Sequence, residues 1–178
     1  KKKKNLIMKE QMLTKFDDNL KKVENLKWLP WIGANYQKTK MLIVGESFYD
    51  DGEGWPESDL EAPRSLVKNQ GLNSKNPDYS NRRFFNVVEK ILLNKDELSY
   101  EEKDKIWTSV AYMNLVQRVL ENSESRPNDD DFDLGWPVIL NVAEIIKPKV
   151  ILKLGVDGFG RLGHLLVDGF NGWKTIKG

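Results

Sequence analysis

The chain has 178 residues, about one domain's worth, and a domain near that length buries roughly 70% of its unfolded surface, so a single sizeable core is expected. With 39% hydrophobic and 31% charged residues the composition is globular; without Cys, disulfides, thiolate nucleophiles and Cys-ligated zinc are excluded, and with His164 as the one His neither a His-rich metal site nor a Ser-His-Asp triad is expected. Twenty-eight basic residues balance 27 acidic ones, so overall charge carries no nucleic-acid signature; Lys1 to Lys4 read as a solvated terminus, with a phosphate-holding basic arm as the functional alternative.

Leu6, Leu13, Phe16, Leu20, Val23 and Leu26 recur at helical spacing and predict a long amphipathic helix over Asn5–Lys27, ended by Pro30. Trp28 and Trp31 flank that proline and read as core edge rather than as an exposed binding rim. Lys40-Met-Leu-Ile-Val-Gly45 is a short apolar run closed by Gly, the pattern of a strand buried on both faces. Asp50 to Asp78, punctuated by Gly and Pro, reads as a long loop lining a site. Over Asn81–Leu93 the positions Phe84, Val87, Val88, Ile91 and Leu92 give a helical stripe that should pack on the sheet. Trp107–Asn114 reads as a second strand. Ser123–Asp133 is a turn and helix entry, its three consecutive Asp residues favoured by the helix dipole rather than shaped for Mg²⁺, and Val138 to Ile146 continue that helix until Pro148. Val150-Ile-Leu-Lys-Leu154 is a third strand, Gly155–Gly163 a glycine-rich turn, Leu162, Leu165 and Leu166 the next helix, and Trp173–Ile176 the start of a fourth strand.

Helices alternating with short apolar strands predict an α/β fold with a mostly parallel four-stranded sheet covered on both faces, one domain spanning residues 1–178. No apolar stretch approaches the roughly 18 residues of a membrane span, and no signal-peptide pattern opens the chain, so a cytoplasmic monomer is the expectation. In open parallel sheets ligands bind beyond the carboxyl ends of the strands, which singles out Gly45–Asp50, Asn114–Arg118 and Gly155–Gly163. Gly45 permits a sharp turn into Glu46, Ser47, Phe48, Tyr49 and Asp50, two carboxylates, a hydroxyl and two rings. Asn114 carries an amide able to donate and accept at once to a ring edge bearing adjacent carbonyl and N–H groups.

Together these segments resemble the uracil-DNA glycosylase superfamily. Gly45-Glu-Ser-Phe-Tyr-Asp50 is similar to the family's Gly-Gln-Asp-Pro-Tyr-His loop, Tyr112-Met-Asn114-Leu-Val to its Leu-Leu-Asn-Thr-Val strand end, Asn81-Arg-Arg-Phe84 to the Asn-Arg-Phe-Trp of the mismatch-specific branch, and Lys147–Gly155 to a Pro-strand-Gly block of many members. The resemblance spans roughly Lys40 to Leu166 and implies a three-layer α/β/α sandwich that hydrolyses the N-glycosidic bond of a uracil or another deaminated or modified base flipped out of DNA, with no cofactor. It implies Glu46, Ser47 and Asp50 at the catalytic positions, with Ser47 where the family's loop has its catalytic Asp, and Tyr49, Phe48, Asn114, Tyr79 and Phe84 around the base. The family's late His-Pro-Ser type loop has no counterpart up to Gly178, so either the chain continues or that contribution is absent. A catalytically silent nucleic-acid or nucleotide-binding module on the same scaffold is the alternative.

A further motif competes. Gly158-Phe-Gly160-Arg-Leu-Gly163 follows a strand and precedes a helix, the context of a dinucleotide-binding turn, and locally resembles the opening of glyceraldehyde-3-phosphate dehydrogenases. An NAD-binding Rossmann-type protein is thus a third reading, although the second strand with its ribose-holding acid and the dehydrogenase Cys are missing. The remaining reading is structural, glycines for close helix packing with a phosphate held by Gly155, Gly158 and Gly160.

Overall fold

A computed structural model describes residues 11–50, 58–72, 82–155, 157–158 and 160–162. Its strands are β1 (Trp31–Ile32), β2 (Met41–Gly45), β3 (Phe48–Tyr49), β4 (Ala111–Asn114), β5 (Val119–Leu120) and β6 (Val150–Lys153). Its α-helices are α1 (Asp17–Leu20), α2 (Tyr36–Thr39), α3 (Ala62–Leu66), α4 (Arg83–Leu93), α5 (Tyr100–Ser109) and α6 (Asp129–Ile146), with a π-helical turn over Val67–Leu72. The main sheet has the order β1-β4-β2-β6. β2 lies parallel between β4 and β6, Leu42 standing opposite both Ala111 and Ile151, whereas β1 runs antiparallel on the far edge of β4. The expected mostly parallel four-stranded sheet is therefore present, with a different fourth strand: Trp31–Ile32 supplies it, and Trp173–Ile176 lies outside the described residues.

Alternation along the central strands sends successive side chains to opposite faces. Leu42, Val44, Ala111 and Met113 join Val138, Ile139, Val142 and Ile146 of α6 in one apolar cluster. Ile43 and Tyr112 join Trp31, Phe85 and Val88 of α4, and Ile106 and Trp107 of α5 in another. α5 begins at a capping box in which Ser99 and Glu102 satisfy each other's backbone N–H groups, and α6 begins at an equivalent box of Asn128 and Asp131.

Several sequence expectations are corrected. The long helix over Asn5–Lys27 is not formed within its described part: the segment makes only the short α1, with Asn25 at φ 61°, and Met12 bridges Gly33 while the Leu13 N–H donates to the Ile32 carbonyl. Pairing against the sheet edge there outweighs helical periodicity. The strand predicted from Trp107 starts only at Ala111, because Trp107 is buried in α5, a helix that the capping box Ser99-x-x-Glu102 starts. The loop over Asp50–Asp78 contains α3 and the π-turn in its described part. α4 packs on the sheet through Phe84, Val88 and Leu92 of its predicted stripe, but Val87 and Ile91 of that stripe are exposed and Phe85 and Glu89 are buried instead. Glu89 can turn inward because one carboxylate oxygen receives Arg82 Nη2 at 2.7 Å and Trp107 Nε1 at 2.8 Å. Trp28 and Trp31 are core residues, as expected.

Candidate functional site

The parallel pair β2/β4 does not end at Gly45 and Asn114. Leu115 N–H donates to the Gly45 carbonyl and Val116 N–H to the Glu46 carbonyl, each at 2.9 Å, and the two segments then pair again as β3 and β5, with Asp50 N–H bonded to the Leu120 carbonyl at 2.8 Å. Residues 45–50 and 114–120, which include two of the segments that strand-end topology singles out, thus run side by side.

At the head of this ribbon Asn114, 3% exposed, accepts a hydrogen bond at its Oδ1 from the Tyr112 hydroxyl at 2.8 Å. Its amide nitrogen is also buried and has no hydrogen-bond partner. Residues two apart on a strand share a face, which is why Tyr112 reaches Asn114. Gly45, paired with Asn114 across the ladder, makes the arrangement possible, because a Cβ there would lie 2.3 Å from Asn114 Oδ1. Phe84 and Phe85 pack against the Tyr112 ring at centroid distances of 5.6 and 6.5 Å, and Trp107 stands edge-on to it at 6.1 Å. Burial pushes the Tyr112 phenol well above its ordinary value despite the bond to Asn114, so it remains a neutral donor.

A second group gathers at the end of β6. Lys153 Nζ donates to the Asp157 carbonyl at 2.6 Å, and an added Cβ on Gly155 would come within 3.4 Å of Glu46 Oε2 and 3.5 Å of Lys153 Nζ. The carboxylate and the ammonium therefore flank one point, Gly155. Burial lowers the Lys153 pKa from its ordinary value, opposed by the charges of Glu46 and Asp157.

The other predicted residues distribute as follows. Ser47 is half-buried and its hydroxyl has no hydrogen-bond partner. Phe48 is 4% exposed and stands edge-on to Trp28 at 5.3 Å, so its ring serves packing on this ribbon. Tyr49 and Asp50 are half-buried alongside Leu120, and Tyr79 lies outside the described residues, as does His164. Gly158 has φ +77° and a Cβ there would meet the Phe132 ring at 2.5 Å; its carbonyl accepts from Trp136 Nε1 at 2.8 Å. Gly158 thus docks the turn on α6. Gly160 has open space around it.

No protein-family model, curated protein or solved structure matches the chain. The acidic entry of α6 is held by basic partners: Arg118 grips Asp131 with two bonds of 2.6 and 2.7 Å, and Arg161 pairs with Asp129 and with Asp133. Beside it lies a hollow of about 290 Å³ lined by Gln117, Arg118, Asn128, Asp130, Asp131 and Leu134. Among the described residues no three His, Asp or Glu side chains gather to hold a metal ion, and no helix is long and apolar enough to cross a membrane. Sequence reading gave Tyr112 and Lys153 no role. Two signals were present: a hydroxyl two residues before Asn114 on the same strand, and a lone cation inside the apolar run Val150–Leu154.

Proposed function

We propose that the chain is a DNA glycosylase of the uracil-DNA glycosylase kind, built as an α/β/α sandwich and hydrolysing the N-glycosidic bond of a flipped, deaminated or otherwise modified base. The observation that carries the reading is the buried, unpartnered amide nitrogen of Asn114 on a strand end that runs beside Glu46 to Asp50. Such a group supplies the edge hydrogen bond that repays the few kcal/mol of base flipping. Clusters of α6 on one sheet face and of α4 and α5 on the other support the layered scaffold.

In this scheme Phe84 and Tyr49 wall the base while Asn114 holds its edge. The C1′–N bond breaks with its electron pair leaving on the base, and the sugar becomes oxocarbenium-like. The Glu46 carboxylate stabilises that positive charge, orients the water that adds to C1′ and takes up its proton. No cofactor enters the scheme. The test is a gel assay for alkali-labile breaks in single- and double-stranded oligonucleotides carrying uracil, hypoxanthine, xanthine or hydroxymethyluracil. Breaks are expected for at least one base and are expected to disappear in Glu46→Gln. Silence across the panel, with DNA binding retained, would replace this reading with that of a catalytically silent module. Ser47 favours that second reading, since a hydroxyl stands where the resembled family carries a carboxylate.

A further inference from the structure

We infer that the hollow at the amino ends of the parallel strands is a second ligand site, which takes a free alkyl carboxylate with its chain inside and its carboxylate on Lys105. The hollow lies at the opposite end of β2 and β4 from Glu46 and Asn114, apart from every residue that the base-binding reading uses.

Its volume is about 300 Å³. It opens where Met41 starts β2, Val110 leads into β4 and α4 ends with Leu92 and Leu93. The remaining wall is one stripe of α5, because Glu102, Lys105, Ile106 and Ser109 follow the i, i+3, i+4, i+7 spacing that puts side chains on one face of a helix. Regular elements thus build the hollow, and its apolar lining reaches the surface at Leu93, 38% exposed. Apolar surface gathered in a concave site of this size draws in the apolar part of a ligand.

The head group follows from which polar groups are already engaged. Thr39 Oγ1 donates to the Ser109 carbonyl. Glu102 Oε1 receives Lys95 Nζ at 2.5 Å and Oε2 receives the Ser99 N–H at 2.9 Å, so its charge is matched and both oxygens are engaged. Lys105 differs: it is exposed, and its ammonium has no acceptor among the described residues. A lone cation at the rim of an apolar hollow complements a ligand with an apolar body and one anionic end. Length follows from volume: at roughly 30 Å³ for each small group, the share one water takes in the liquid, the hollow holds on the order of ten heavy atoms. Octanoate has about that many.

The test labels the methionine methyl groups isotopically and follows them by NMR while octanoate, hexanoate or octylammonium is added to the full chain. Octanoate should shift the Met41 methyl signal and leave in place that of Met113, buried on the other face of the sheet. The shorter chain of hexanoate should weaken binding about tenfold. Octylammonium, which sets a second cation against Lys105, should bind about fivefold or more weakly than octanoate. In Lys105→Gln that preference should fall to near parity; the residue is exposed, so the variant keeps the fold. No Met41 shift with octanoate, an equal shift of Met113, equal binding of hexanoate, equal binding of octylammonium, or a head-group preference that survives in Lys105→Gln each overturns the inference. DNA enters none of these titrations, so their outcome is read independently of any glycosylase activity.

Discussion

Arg64 and Asn114 are about equally buried, at 1% and 3% exposure, and use their polar groups in opposite ways. Arg64 Nε donates to the Pro30 carbonyl at 2.9 Å, Nη1 reaches Asp17 and Glu61 at 2.9 Å each, and Nη2 reaches Asp17 at 2.6 Å. That guanidinium ties α1 and α3 to the segment entering β1, its fork matched to a carboxylate. Asn114 has only its oxygen engaged, and its nitrogen is withheld from every neighbour. An unmade buried hydrogen bond costs about 1–3 kcal/mol, a cost that Trp28 Nε1 and the Tyr36 hydroxyl also carry inside the core. The contrast sets a polar group that holds the chain together beside one that the proposed function turns toward a base.

The sharpest way to break this contrast is Asp17→Ala. It leaves the Arg64 charge buried with only the half-exposed Glu61 beside it, so urea unfolding should show a loss of about 3 kcal/mol, with base excision unchanged in whatever remains folded. Glu46→Gln reverses the pattern: base excision should fall by about 10²-fold or more while oligonucleotide binding and the thermal midpoint stay close to wild type. Gly45→Ala touches both sides of the comparison, since its methyl group meets the amide oxygen of Asn114; a loss of about 1–3 kcal/mol is expected together with weakened oligonucleotide binding, seen in unfolding and binding titrations on one sample. The smallest effect should come from Arg118→Ala, whose partner Asp131 sits at a partly exposed helix entry; below about 1 kcal/mol is expected at neutral pH. Burial raises the Asp131 pKa, but the bonds from Arg118 and from the Asn128 backbone outweigh it and hold the carboxyl below its ordinary value. A carboxyl held low when folded lends stability above its unfolded pKa and loses it as pH falls through the folded one, so the gap between wild type and Arg118→Ala should close on acidification. Urea midpoints measured stepwise from pH 7 to strongly acidic solution check it.

The amino-acid sequence by itself determined the three parallel strands, the helices at Arg83–Leu93 and Asp129–Ile146, and the placement of Gly45 and Asn114 at strand ends. Each of these is written locally: an apolar run closed by Gly, a 3.6-residue stripe, an acidic capping segment. Tertiary structure alone decided that Met12 pairs with Gly33 instead of continuing a helix, that Trp31 forms the antiparallel edge, and that α4 turns Glu89 inward. It alone set Lys153 near Glu46 across Gly155 and fitted the Asn114 oxygen against Gly45. These are contacts between positions far apart in the chain, and periodicity, which reports only which side of an element is apolar, holds no information about which distant group will be there to meet it.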